Sequence, residues 1–243
     1  MRAVILAGGK GIRLKPYTTV IPKPLIPLEG LPITEILIKQ LKYYGFRDIV
    51  LAVGYMSDMV KAYFGNGKKW QVKINYAQER IPQGTIGPLK NIKFTEEDIL
   101  VLNSDILTDL NFADFMQYHK KHSSSMTIAI HKEEIRLGSG IVQENDARLV
   151  VGYLEKPTLH HNISMGIYAI NKSALKYIPQ GKKYDMPQLI KNLLLRHEKV
   201  FAYESKNYWI DIGSHDDYKV AMVELKKDRV LRRRLKSRFS SPS

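Results

Sequence analysis

The chain has 243 residues, enough for one large α/β domain or two small ones, and at 44% hydrophobic it can bury a core; its formal net charge is +14. It has no cysteine, so disulfides and thiolate metal sites are excluded. No apolar run reaches the ~18 residues of a membrane span, and the first one is too short for a secretion signal, so a cytoplasmic location is expected.

In chain order, residues 3–6 (AVIL) read as a buried first strand. The stretch after it, LAGGKGIRLKPYTTVIPKP over 6–24, carries Gly8, Gly9 and Gly11. Glycines at a strand end let bare backbone N–H groups approach a ligand and converge on an anion. Arg13 follows at once, and Lys23 stands between Pro22 and Pro24. The pattern is neither a P-loop nor GxGxxG. The argument for a triphosphate therefore rests on two cations beside the glycines, since its charge must be neutralised before a nucleophile can approach.

Residues 32–44 read as a helix, 48–53 as the second strand, 56–64 as a short helix and 72–76 as a strand. A loop over 77–82 leads to a further helix over 84–91. Strand 99–102 ends at Asn103-Ser104-Asp105, and helix 112–121 and strand 126–131 follow. Segments 140–143 and 149–154 read as a hairpin about Asn145-Asp146. Strand 164–170, helix 187–194, short strands 199–203 and 208–210, and a helix from 216 complete the chain. The alternation predicts a Rossmann-like α/β fold: a mixed, mainly parallel sheet flanked by helices. Residues 1–223 read as one domain and 224–243 as a basic helical or frayed tail, with eight Lys/Arg against Glu224 and Asp228. His119 and His122 stand among lysines and read as a solvated helix face. The basic charge suits a polyanionic substrate or nucleic acid. With no zinc-finger spacing and no RNP-like aromatic run, no nucleic-acid partner is expected.

Two carboxylates follow apolar strands, Asp105 and Asp211, the latter in Trp209-Ile210-Asp211-Ile212-Gly213. In open α/β sheets ligands sit beyond the carboxyl ends of strands. Two such acids suit one Mg²⁺, which takes one or two carboxylates plus substrate phosphates, but their spacing does not show that they meet. The loop 77–89 offers Gln78 and Glu79 as a polar edge, a tight turn at Gly84 and a hydroxyl at Thr85. Glutamine can both donate to and accept from a nucleobase.

G-G-x-G-x-R-L followed by P-K-P resembles the signature of the sugar-1-phosphate nucleotidylyltransferases, the NDP-sugar pyrophosphorylases. The resemblance covers about the first 225 residues, with Ile12 where the family usually has Thr or Ser. It implies a nucleotide site at Leu6, Ala7, Gly8, Gly9, Gly11, Gln78, Gly84 and Thr85, with Arg13 and Lys23 as catalytic cations. It matches Asp105 and Asp211 to the family's metal positions, in an N-S-D and a W-x-D-x-G segment, with Mg²⁺ as cofactor. Glu155-Lys156-Pro157 matches a motif whose lysine meets the sugar phosphate and whose glutamate meets a sugar hydroxyl. Gly140 matches a glycine lying against the sugar. Ser164-Met165-Gly166-Ile167-Tyr168 resembles N-x-G-I-Y with Ser164 in place of asparagine. G-T-x-G-P-L resembles the mannose- and heptose-1-phosphate guanylyltransferases more than the thymidylyl or uridylyl branch. The lack of a long C-terminal extension resembles the shorter heptose- or muramate-type enzymes. The implied reaction joins an NTP, here GTP, and a sugar 1-phosphate to give NDP-sugar and pyrophosphate. A cytidylyl- or uridylyltransferase and a non-catalytic NDP-sugar sensor are the alternatives, and a homo-oligomer is left open.

Overall fold

The first strand, β1 (Arg2–Ala7), is apolar on both faces because a core lies on each side of it. Ala3, Ile5 and Ala7 enter one core and Val4 the other. The structure, a computed structural model, describes residues 1–79, 81 and 83–227. In chain order β1 is followed by β2 (Pro27–Leu28), β3 (Leu31–Pro32), α1 (Ile33–Tyr43), β4 (Asp48–Val53), α2 (Ser57–Phe64), β5 (Lys73–Gln78), β6 (Asp98–Asn103) and β7 (Ile106–Thr108). Then come α3 (Phe112–Lys121), β8 (Met126–Arg136), β9 (Ile141–Glu144), β10 (Val150–Leu154), β11 (Thr158–Asn171), α4 (Met186–Leu195), β12 (Val200–Glu204), β13 (Trp209–Asp211) and α5 (His215–Lys227).

The central sheet has seven strands in the order β12-β8-β11-β6-β1-β4-β5. β1 pairs parallel with β4 and β6, β4 with β5, and β12 with β8. Only β11 runs against its neighbours in this sheet. This is the mixed, mainly parallel sheet expected from the alternation of apolar runs and helical patterns. Side chains of α1, α2 and α3, among them Leu37, Leu41, Val60, Phe112 and Phe115, fill one core. Leu189 and Leu193 of α4 fill the other. A third cluster joins Leu14, Ile26, Leu28, Ile33 and Ile36 near the start of the chain to Leu107, Ile212, Ala221 and Leu225. It docks the C-terminal segment onto the glycine-rich loop region. Each fully buried Leu or Ile there contributes ~1.5–3 kcal/mol.

Several local expectations change. Residues 84–91 form no α-helix, and only a 3-10 turn over Gly87–Asn91 is present. Residues 83–87 instead bond to the segment before α4: Tyr184 N donates to Gln83 O, and Ile86 N and Gly87 N donate to Tyr184 O. His119 is not on a solvated face. It is 1% exposed, with Nε2 3.3 Å from Asp98 Oδ1 and Nδ1 2.8 Å from Thr127 Oγ1. A carboxylate only accepts, so Nε2 carries the proton and Nδ1 accepts from the threonine. β8 and β11 are longer than predicted because they extend together as a ladder from Thr158↔Arg136 to Ile170↔Met126. The hairpin β9–β10 forms as expected and leaves Val142 and Tyr153 exposed. The expected tail over 224–243 lies, from residue 228 on, outside the described residues. Among the described residues, no helix is long and apolar enough to cross a membrane.

Candidate active site

The carboxyl ends of β1, β4, β5 and β6 open onto one cavity of about 720 Å³, a size that suits a nucleotide-scale ligand. β1 delivers Leu6, Gly8, Gly9 and Gly11 to its wall, while Ala7 is buried at the strand end. Gly11 adopts φ +61, the left-handed region that glycine enters without strain, and it caps a 3-10 turn over Ile12–Leu14. That turn sets Arg13 on the cavity wall, while Leu14 plugs into the third core cluster. Lys23 stands on a second turn, Lys23–Leu25, with Pro22 before it and Pro24 within it. It reaches the same cavity and forms an ion pair with Asp105.

The meeting of the two acids rests on short strands. β13 pairs antiparallel with β7, placing Asp211 opposite Ile106. Ile212 N donates to Asp105 O at 2.9 Å. Asp211 Oδ1 is buried and accepts no hydrogen bond. Burial pushes the Asp211 carboxyl up to about 6, and the neighbouring Asp105 carboxylate adds to this against Lys23 and Arg13. An orphaned carboxylate oxygen beside a second carboxylate fits a hard divalent cation. Among the described residues no cluster of three or more acidic or imidazole groups could complete a metal shell, so two carboxylates would leave the remaining positions to substrate oxygens.

Glu79 follows β5 and lines the cavity wall beside Ala52, Gly54 and Pro88. Its Oε2 would lie 3.5 Å from a Cβ on Gly8 and accepts Gln83 N at 3.4 Å. Burial raises the Glu79 carboxyl above its ordinary value, the Gln83 amide partly opposing this. Gln78, one residue earlier, points elsewhere: its Nε2 donates to Ser57 Oγ at 3.2 Å and its Oε1 accepts from Lys61 at 2.5 Å. It lines an adjoining cavity of about 410 Å³, whose wall also includes Glu79 and Pro88. Gly84 and Thr85 line the main cavity. Gly84 has φ +80, and a Cβ there would lie 2.7 Å from Asp185 Oδ1. Thr85 N donates to Asp185 Oδ1 and Thr85 Oγ1 accepts from Met186 N, both at 2.8 Å.

The residues that the resemblance gives to the sugar phosphate stand apart from this lining. Glu155 and Lys156 are exposed and lie 3.7 Å apart, and Tyr153 OH donates to Glu155 at 2.8 Å. The Gly140 Cα faces the Tyr153 hydroxyl. Ser164 Oγ lies 3.1 Å from Tyr168 OH, near Gly166, whose Cα abuts Asn103 on the cavity wall. Sequence reasoning missed Lys183, Asp185 and Gly213 as lining residues. Lys182-Lys183 carried no signal beyond general basicity. The Asp185/Gln188 capping box was a legible helix start, but its nearness to Thr85 was not.

A family model described as Nucleotidyl transferase matches residues 2–228. The chain belongs to the nucleotidyl transferase family. Within it, the chain is 32% identical over 232 residues to the D-glycero-alpha-D-manno-heptose 1-phosphate guanylyltransferase of Aneurinibacillus thermoaerophilus, covering 93% of this chain and 98% of that one. It is 30% identical over 224 residues to the mannose-1-phosphate guanylyltransferase of Mycobacterium tuberculosis, covering 89% of this chain. It spans only 62% of that relative's length and 64% of two vertebrate mannose-1-phosphate relatives. The crystal structure of HddC from Yersinia pseudotuberculosis complexed with GMP-PN superposes with a TM-score of 0.73 at 26% identity, covering 92% of this chain and 99% of that one. The chain is therefore similar in sequence to proteins named as sugar-1-phosphate guanylyltransferases and in fold to a structure complexed with GMP-PN.

Proposed function

We propose that this nucleotidyl transferase moves a nucleoside monophosphate from an NTP, with GTP preferred, to a sugar 1-phosphate of mannose or heptose type, releasing pyrophosphate. The observation that carries the reading is one cavity holding glycine amides, Arg13 and Lys23 beside the Asp105–Asp211 pair. A monoester oxygen of the sugar phosphate attacks the α-phosphorus in line. The bond from that phosphorus to the bridging oxygen breaks, and pyrophosphate departs with the electron pair. A phosphate monoester is already an anionic nucleophile, so no general base is required, and the work is positioning and charge neutralisation. Arg13 and the amides of Gly8, Gly9 and Gly11 bind the triphosphate. Lys23, the partner of Asp105 in this structure, counters charge that develops at the α-phosphate. Asp105 and Asp211 would hold Mg²⁺, which when bound supplies Lewis-acid stabilisation of the phosphate oxygens. Lys156 and Glu155 would receive the acceptor from their exposed turn.

Guanine preference is supported by Glu79. Guanine presents N1–H and N2–H₂ side by side, and an ionised carboxylate accepts both. Uracil presents one such donor, and cytosine mixes a donor with an acceptor. Pyrophosphate release measured with four NTPs against a panel of sugar 1-phosphates tests the whole reading, and turnover of CTP or UTP faster than GTP overturns the base assignment. Glu79→Gln is expected to lower kcat/KM for GTP by at least about tenfold while leaving UTP little changed, because a site built around buried polar groups discriminates by leaving them unpaired.

A further inference from the structure

Gly213 lines the cavity directly after β13 and Ile212, yet it is neither a turn glycine nor an amide donor in any observed bond. It has no left-handed φ. What it lacks is space: a Cβ there would lie 2.8 Å from Nη2, 3.2 Å from Cζ and 3.4 Å from Nη1 of Arg13. Those three atoms make up one edge of the guanidinium, so Arg13 rests on the bare Cα of Gly213. The neighbouring residues reinforce this placement. Leu14 and Ile212 are fully buried in one cluster, and the His215 ring nitrogen donates to the Lys15 carbonyl. Three consecutive residues of the glycine-rich loop are thus held by the segment that also carries Asp211.

We infer that Gly213 is a positioning residue, the seat that fixes the Arg13 guanidinium relative to the Asp105–Asp211 pair, so that triphosphate and metal are received as one unit. This rests on the function proposed above for Arg13. The three atoms nearest a Cβ at 213 all belong to the tip of one flexible side chain. Alanine there is therefore tolerated by the fold and expels the guanidinium from its place. A structural glycine would behave in the opposite way, with lost stability and Arg13 unmoved.

The test compares Gly213→Ala, Arg13→Ala and the double variant of the full chain. One readout is the Arg13 Nε–H signal in ¹H–¹⁵N spectra, assigned by its absence in Arg13→Lys. The others are thermal stability, and KM and kcat with GTP in Mg²⁺ and mannose 1-phosphate as acceptor. The seat predicts a shifted or broadened Arg13 signal in Gly213→Ala and a melting temperature near native. It also predicts a rise in KM for GTP of about tenfold, with KM for the sugar phosphate little changed and no further loss in the double variant beyond Arg13→Ala. An unmoved Arg13 signal overturns the inference, and so do fully additive losses. A moved signal with native GTP kinetics in both single variants supports the seat and overturns the role of Arg13 in the proposed function.

Discussion

Asp211 is the residue whose surroundings are hardest to account for by folding alone. It is a half-buried carboxylate with one buried oxygen that accepts nothing, beside a second acid, and such an arrangement is costly unless a cation completes it. Asp105→Asn and Asp211→Asn are therefore each expected to lower turnover in Mg²⁺ by several orders of magnitude. GTP binding measured in EDTA should change only a few-fold, and near-native rates in either variant would remove that residue from the proposed metal site. The same residue shows what a sequence can and cannot display. Glycines, Arg13 and Lys23 lie within one short stretch, so local chain geometry alone brings them together. Asp211 reaches Asp105 only through β7 and β13, three residues each, too short to carry a periodicity. Glu79 was visible as a polar residue in its loop. That its carboxylate, and not the Gln78 amide, faces the cavity follows from which way β5 ends, and no propensity reports that.

At the scale of elements, the proposed site is divided between a strand-end cradle and an exposed turn. Lys23 is 12% exposed in the cradle and Lys156 is 65% exposed on the turn. Lys156→Ala is expected to raise KM for sugar 1-phosphate about tenfold or more with KM for GTP little changed, because it removes a contact made equally in ground and transition states. Lys23→Ala should chiefly lower kcat. Steady-state kinetics with each substrate varied separately would exchange the two roles if the pattern were reversed. α5 contributes by packing: Ala221 and Leu225 are buried in the third cluster. A chain ending after Leu225 is expected to keep kcat and both KM values within a few-fold of native. Leu225→Ala should destabilise by ~2–5 kcal/mol, read as a lower denaturation midpoint. An inactive but folded truncation, judged by circular dichroism, would place part of the site beyond residue 225. The helix α5 was legible from its spacing of apolar residues. The helix expected over 84–91 failed because Tyr184 and Asp185, a hundred positions away, supply the hydrogen bonds that a helix would have made.

For the molecule as a whole, one buried group outside the site ties stability to pH. Burial holds the His119 imidazole below its ordinary value, with Lys120 acting in the same direction and Asp98 opposing. Above pH ~6.5 the ring is neutral in both folded and unfolded chains and exerts no effect. As pH falls below ~6.5 the unfolded chain takes up a proton that the buried ring refuses, and stability drops by at most ~1.4 kcal/mol per pH unit until the ring itself titrates. Urea midpoints at pH 8 and pH 5 for the native chain and His119→Gln should show a steeper loss in the native chain. An equal loss in both would refute this assignment. The mixed, mainly parallel sheet flanked by helices was legible in the alternating apolar runs, while its strand order was not. The inward turn of His119 did not, because its partners Asp98 and Thr127 lie on β6 and β8 and a helix read alone shows only its own lysines.

The third core cluster joins Leu14 to Ile212 and Leu225, and this has a bearing on how the protein comes into being. A chain emerging from the ribosome folds from its N-terminal end. The glycine loop and the first strands are therefore available early, but the surface that holds Leu14, Arg13 and Lys15 is made some two hundred residues later. Until residues 209–225 emerge, the loop lacks its backing and Asp105 lacks its partner acid. Closing so long a loop costs only slightly more entropy than closing a short one, so the delay adds little to the stability cost. It does mean that the proposed nucleotide site stays incomplete until residues 209–225 have been made.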